Sequence, residues 1–347
     1  MSTPPADSKT PPLERSVRAR RATVNDVATL AGVSAMTVSR AVNKPDQVPA
    51  ATLEKVRKAI ATTGYVPNLL AGGLRSNKSR LVAAVIPTLS GPVFLETVES
   101  LTASLAAQGY QLMLGQSGYQ ASREDDLLSA IIGRRPDGIV LTGVVHTDEG
   151  RQRLLGSGIP IVETWDLTPD PLDMLVGFSH AGVGRAVCQF LHDRGRRRVG
   201  LILGDDERAR RRHAAFAERA RELGHEGPAV QLVPSPTTLG SGRSGLRALL
   251  ADDPAIDAVF CSSDLLALGV LIEAQIQGVS VPDRLAVMGF GDLPMASDVH
   301  PALTTVRIDG WRIGREAAQF IVDRAEGRTV AQQVIDIGFS IVERDSV

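Results

Sequence analysis

Residues 22–43 read ATVNDVATLAGVSAMTVSRAVN, and their pattern sets how the chain begins. Thr23 can cap a helix in which Val24, Val27, Ala28 and Ala31 recur at helical spacing, with Asp26 at the third helical position to complete a capping box. Gly32 permits the left-handed backbone of a tight turn, Val33 tucks into the angle, and Ser34 caps a second helix from about Ala35 to Val42. The predicted unit is a helix-turn-helix. With Val38 and Val42 turned inward, Ala35, Met36, Thr37, Ser39 and Arg40 project outward, small or polar enough to enter a DNA major groove. A third helix is expected at about Ala51–Thr63, with Leu53, Val56 and Ile60 as its apolar stripe and Lys55, Arg57 and Lys58 free for phosphates.

Charge supports this reading. The chain carries a formal −1 overall, but residues 1–80 hold 13 Lys and Arg against 5 Asp and Glu, a formal +8, and the remainder is −9. A basic head on an acidic body is the electrostatic footprint of a polyanion-binding segment. At 347 residues and 43% apolar content the chain can bury more than one core, implying two or three domains. Cys188 and Cys261 stand far apart, in neither CxxC nor disulfide spacing, which fits a reducing compartment. The opening MSTPPADSKTPPLERSVRARR lacks a leader's apolar core, and no apolar run approaches the roughly 20 residues of a membrane span. A cytoplasmic protein with no membrane partner is expected.

VNDVATLAGVSAMTVSRAVN followed by GYVPNLLAGGLRS resembles the amino-terminal domain and hinge of the lac repressor (LacI/GalR) family of bacterial transcription regulators. The resemblance implies that Ala35 and Met36 are the main base readers, with Thr23, Ser34, Thr37, Ser39, Arg40, Asn43 and Asn68 also contacting operator DNA. It further implies a hinge from which Leu74 enters the minor groove as an apolar wedge; Gly72 and Gly73 disfavour a stable hinge helix in the unbound chain. The expected organisation is a disordered basic tail at 1–21, a helix-turn-helix domain at 22–66, a hinge at 67–80, and an effector-binding and dimerisation body at 81–347. A homodimer or tetramer on a pseudo-palindromic operator is implied.

From Leu81 onward, strand-like runs alternate with amphipathic helices: LVAAVIP, YQLMLG, DGIVLTG, IPIVET, DMLVGF, RRVGLILGD, IDAVFCSSD and RLAVMGFGD. Helices are expected near 94–108, 181–194, 207–223, 240–251 and 265–277. Such alternation means parallel sheets covered on both faces. The fold class expected is an all-α head with an α/β body. The resemblance makes that body two doubly wound lobes of the periplasmic-binding-protein type, crossed by the chain near Gly177, Val306 and Ile337.

Ligands in such sheets bind outside the carboxyl ends of the strands. That rule selects Ser90, Phe94, Thr142, His146, Glu163, Trp165, Asp166, Ser263, Asp264 and Asp292, together with Arg212 on the helix after LILGDD. RGRRRVG at 194–200 precedes its strand and reads as a solvated turn, whereas RARRRHAAF at 208–216 follows one. Alignment with the family points Arg212 into the cleft, with Arg210 and Arg211 to solvent. Ser263 and Gly291 depart from the family, which favours an asparagine and an acid there; losing a carboxylate suits an anionic ligand. LTGVVHTDE, IPIVETWDL, LVGFSH and IDIGFSIVER resemble repressors of gluconate and related sugar-acid use. The expected effector is therefore gluconate or 2-ketogluconate, with its carboxylate toward Arg212 and its hydroxyls toward Glu163, Asp166, Asp264 and Asp292. A neutral sugar, or a corepressor in place of an inducer, is the alternative. A transport receptor would not use residues 22–76, and an enzyme would need a phosphate loop, metal cluster or nucleophile motif, none of which appears. No cofactor is implied.

Overall fold

The structure, a computed structural model, describes residues 22–66, 78–118, 121–143 and 147–347. The tail at 1–21, Asn68 and Leu74 of the expected hinge, and His146 lie outside them. The chain divides into two compact units, Met1–Asn77 and Lys78–Val347.

In the first unit, α1 (Val24–Ala31) opens with the capping box: Thr23 Oγ1 accepts the Asp26 N–H, and the Asp26 carboxylate accepts the Thr23 N–H at 2.7 Å. Gly32 closes it at φ 66°, and Ser34 caps α2 (Ala35–Asn43) by accepting the Thr37 N–H at 3.1 Å. Helix α3 (Ala50–Thr63) completes a three-helix core built on Val27, Ala28, Val38, Ala41, Val56 and Ala59. One inward position differs from expectation. Ala41 is buried with Val38, while Val42 is half-exposed, because three residues on from Val38 lies nearer the α1 contact than four.

The second unit alternates β1 (Leu81–Ile86), α4 (Leu95–Ala107), β2 (Gln111–Gln116), α5 (Ala121–Ile132), β3 (Gly138–Thr142), α6 (Asp148–Ser157), β4 (Ile161–Thr164) and β5 (Met174–Gly177). It continues through α7 (His180–Asp193), β6 (Val199–Gly204), α8 (Glu207–Glu222), β7 (Ala229–Val233), α9 (Leu239–Asp252), β8 (Ala258–Cys261), α10 (Asp264–Ile276) and β9 (Ala286–Phe290). The last elements are β10 (Thr304–Arg307), α11 (Gly310–Ala325), β11 (Val334–Asp336) and β12 (Ser340–Val342). They form two six-stranded sheets, ordered β11-β5-β4-β3-β1-β2 and β12-β10-β9-β8-β6-β7. Every pairing is parallel except β10 with β12.

The chain passes between sheets after β5, after β10 and after β11. Two apolar clusters fill one face of each lobe, and a third, including Leu101, Trp165, Phe178, Val187, Phe216, Ala317 and Phe320, runs through both. Gly184 of α7 carries a close helix approach near the cleft. A Cβ there would lie 2.1 Å from the Arg212 carbonyl oxygen, so only glycine lets α7 seat against α8.

Candidate functional site

On the head, Met36 is 66% exposed and Ser39, Arg40 and Asn43 are exposed, while Ala35 and Thr37 are partly covered. Thr23 and Ser34 spend their hydroxyls on the helix caps, and Asn43 donates to the Ser39 carbonyl at 2.9 Å. Lys44, Lys55, Arg57 and Lys58 are exposed around them. A short α2 with a small, polar outer face and a ring of cations has the shape and charge a major groove accepts.

In the body, a cleft of about 700 Å³ open to solvent lies at the carboxyl ends of the strands of both sheets. One lobe supplies Thr88 and Gly91–Phe94 after β1 and Trp165 after β4; the other supplies Asp206, Arg208 and Arg212 after β6, Ser235–Thr237 after β7, Ser262 and Ser263 after β8, and Phe290 at the end of β9. Phe94 meets Trp165 edge-on at 5.0 Å, and Trp165 meets Phe178 edge-on at 5.9 Å. Trp165 holds φ 67°, unusual for a bulky side chain. Three hydrogen bonds hold it: its N–H to the Val176 carbonyl at 3.2 Å, Nε1–H to Thr97 Oγ1 at 3.0 Å, and its carbonyl to His180 Nε2 at 2.9 Å.

His180 links this wall to Arg212. With Nε2–H donated to Trp165, Nδ1 accepts from Arg212 Nη1 at 2.9 Å; burial and the Arg212 charge push the imidazole well below its usual pKa, so it stays neutral. Arg212 lies 4.3 Å over the Phe290 ring and is 4% exposed. Burial pushes its pKa down to about 10, opposed by the Asp206 charge. Its Nε has no hydrogen-bond partner among the described residues, and neither has Nη1 of Arg208 one turn earlier. The lining thus holds two guanidiniums against one carboxylate, with hydroxyls on one side and rings on the other. Guanidiniums of this kind can fork onto a carboxylate, and hydroxyls and rings of this kind suit a small polar ligand.

Of the positions expected here, Phe94, Trp165, Arg212 and Ser263 line the cleft. The four acids, expected to meet ligand hydroxyls, are not among the lining residues and are engaged elsewhere. Glu163 points from its strand to the Leu172 N–H at 2.8 Å. Asp166 pairs with Arg211 at 2.9 Å; burial raises its pKa and the Arg211 charge opposes this. Asp264 turns into the core, accepting from Thr305 Oγ1 at 2.6 Å and the Leu293 N–H at 2.7 Å, and burial pushes it up to about 6. Asp292 is clamped between Arg307 and Arg344.

Ser90 is exposed, with Thr88 lining the cleft in its place, and Thr142 is half-buried outside the lining. Arg211 is held by Asp166 and so is not simply solvent-facing, and Arg196 of the expected solvated turn donates to the Pro282 carbonyl at 2.7 Å. Gly291 holds φ 128°, and a Cβ there would lie 3.3 Å from Val93 and 3.7 Å from the Asp264 carboxylate, so any side chain at this position is strained. Arg208, His180, Asp206, Ser235 and Thr237 were not singled out by sequence reasoning. Arg208 alone had a signal, its four-residue spacing from Arg212.

A helix-turn-helix unit and a two-lobed body with a ligand-sized cleft define a DNA-binding regulator with a small-molecule site. The chain belongs to the lacI family: the model "Bacterial regulatory proteins, lacI family" matches residues 23–68, and "Periplasmic binding protein-like domain" matches 188–347. It is 37% identical over 328 residues to the HTH-type transcriptional regulator GntR of Pseudomonas aeruginosa, covering 94% of this chain and 96% of that protein. A crystal structure of a LacI-family regulator from Silicibacter pomeroyi superposes with a TM-score of 0.88 at 33% identity, covering 94% and 99% of the two chains. A transcriptional regulator CelR–cellobiose complex superposes at 0.68 with 30% identity, covering 94% and 100%. These relatives are regulators and not enzymes, and this chain is a DNA-binding transcriptional regulator. Among the described residues no helix is long and apolar enough to cross a membrane, and no cluster could hold a metal ion.

Proposed function

We propose that this regulator is a repressor, bound as a dimer to a pseudo-palindromic operator and released when a six-carbon sugar acid, gluconate or 2-ketogluconate, enters the cleft. The observation that carries the effector class is the pair of enclosed arginines, Arg208 and Arg212, facing one carboxylate across an aromatic cleft. The ligand carboxylate meets this cationic side, its carbon face packs on Phe94 and Trp165, and its hydroxyls find Asp206, Thr237 and Ser263. Closing the lobes on the acid shifts the body toward a state that holds DNA less well. By linkage, operator then lowers acid affinity by the same factor.

On the DNA side, Ala35, Met36 and Arg40 read bases, and Leu74 in the 67–80 hinge wedges the minor groove. Arg40→Ala abolishes or relaxes operator recognition in gel shifts, and Leu74→Ala weakens specific binding while sparing nonspecific binding. Calorimetry with gluconate, 2-ketogluconate and glucose, with and without operator, tests the control. Glucose binding as tightly as the acids favours the neutral-sugar reading, for which the cellobiose-bound relative is a precedent. Tighter acid binding on DNA makes the protein a corepressor-type regulator.

A further inference from the structure

We infer that Arg208 is the residue by which the cleft selects an acid over a neutral sugar. This rests on the sugar-acid reading and adds to it the side chain responsible.

Both cleft arginines sit on α8, one turn apart, but in different surroundings. Arg212 is fixed: it donates to His180 and lies on the Phe290 ring, while Asp206, one turn and a half earlier, supplies its nearest favourable charge. It is built into the floor of the cleft, and removing it opens a hole in the wall that any ligand would feel. Arg208 is enclosed with looser anchoring and no side-chain hydrogen bond among the described residues. Its side chain is 14% exposed, and its Nε stands 3.9 Å from Asp206, beyond hydrogen-bond reach. That Asp206 oxygen already accepts the Ala209 N–H at 3.0 Å as the α8 cap. Nη1 is buried with no hydrogen-bond partner among the described residues.

An enclosed guanidinium with open donors is unfavourable until an anion arrives. A carboxylate can take two parallel N–H bonds from such a fork. The charge count of the lining agrees: without Arg208 it holds one arginine against one aspartate, which matches a neutral sugar, while the Arg208 charge also reaches Glu124 and Asp166 outside the lining. The position also matters. Arg208 starts in the carboxyl-terminal lobe, yet its guanidinium carbon lies 5.2 Å from the Phe94 ring centre and its Nη1 lies 3.8 Å from where a Gly143 Cβ would sit. Phe94 and Gly143 both belong to the other lobe, so an anion held by Arg208 is held where the lobes meet.

Calorimetry on the intact protein without DNA, titrating gluconate and glucose, tests this. Wild type favours gluconate. Arg208→Gln weakens gluconate by roughly ten- to a hundredfold, the range for losing a charged hydrogen-bond fork, and leaves glucose within about threefold. Arg208→Lys keeps the charge without the fork, so the preference survives with gluconate weakened by up to about tenfold. A gluconate-to-glucose ratio unchanged in Arg208→Gln, with wild type favouring the acid, overturns the inference and leaves the sugar-acid reading intact. Equal binding of the two by wild type overturns both. Should the glutamine variant fail to fold by circular dichroism, the lysine variant decides: loss of its preference overturns selection by charge.

Discussion

Two arginine runs lie a few residues apart, 194–198 at the start of β6 and 208–212 after its end, and the chain uses them in opposite ways. At the amino end of the strand, Arg196 donates through its terminal nitrogens to backbone carbonyls, with only its buried Nε unpartnered among the described residues, while Arg198 pairs with Asp253 at 2.8 Å and Arg194 with Glu343. At the carboxyl end, Arg208 and Arg212 keep open donors in a cleft. Residue type and local density are the same, so neither predicts use. The end of the parallel strand does, because only there do loops of both lobes leave a concave, enclosed space. The first run closes the fold, and the second keeps charge available for something outside it.

The comparison breaks at its strongest point if Arg212→Ala leaves acid binding intact. The expected loss is roughly ten- to a hundredfold in calorimetry, from the charged contact together with the packing on Phe290 and His180. Next in size is Arg196→Ala, expected to lower unfolding stability by about 1–3 kcal/mol in urea melts, since the Pro282 carbonyl and its neighbours lose a charged donor. Effector and operator affinities stay unchanged in that variant; a shift in either would mean that the base of β6 communicates with the sites. Smaller still is Arg211→Ala, which leaves the enclosed Asp166 carboxylate without its counter-ion. Because Arg211 is 38% exposed, the expected loss is about 1 kcal/mol or less.

That last loss has a pH signature. Removing Arg211 raises the Asp166 pKa further in the folded state than in the unfolded one, so the variant falls behind wild type as pH rises above the ordinary aspartate range. The difference closes as pH falls below the raised folded-state pKa of Asp166, where its carboxyl is protonated in the folded form of both proteins. Melting temperatures of the two proteins across pH 4–8 check it, and a gap that widens toward acid would contradict the pairing. The smallest effect is expected for Arg197→Ala, which stays within about 0.5 kcal/mol of wild type, since this exposed side chain bonds only carbonyls of its own turn.

Much of the fold was readable because eight of the twelve strands announce themselves as apolar runs, most of them parallel strands buried on both faces and one, β2, a half-exposed edge strand. The other four do not. Strand β7 alternates half-buried and exposed positions at a sheet edge, β10 begins with the buried Thr304 and Thr305, and β11 and β12 are three residues each with none buried. The capping box and turn of the head were legible because Thr23, Asp26, Gly32 and Ser34 act through local geometry.

The cleft was half legible. Strand ends locate a site, but they do not say where a side chain turns: Asp264 opens α10 and points down onto Thr305, and Asp292 at φ 50° swings into two arginines. Ser235 and Thr237 were hidden because the strand before them was not recognised. Arg208 was hidden because a run of arginines looks alike until one asks which of them share a helix face.

The three passages of the chain between the sheets also have a consequence for synthesis on the ribosome. The carboxyl-terminal lobe has β6 to β9 in one continuous stretch, but the amino-terminal lobe lacks α11 and β11 until about 160 residues after β5 have emerged. At some 5–20 residues per second, that is a wait of roughly ten to thirty seconds. Neither lobe is complete until the end of the chain, where β11 joins one sheet and β12 the other. During that interval the β5 edge that will receive β11 stays unpaired, which makes it the place where a nascent chain of this protein most needs shielding.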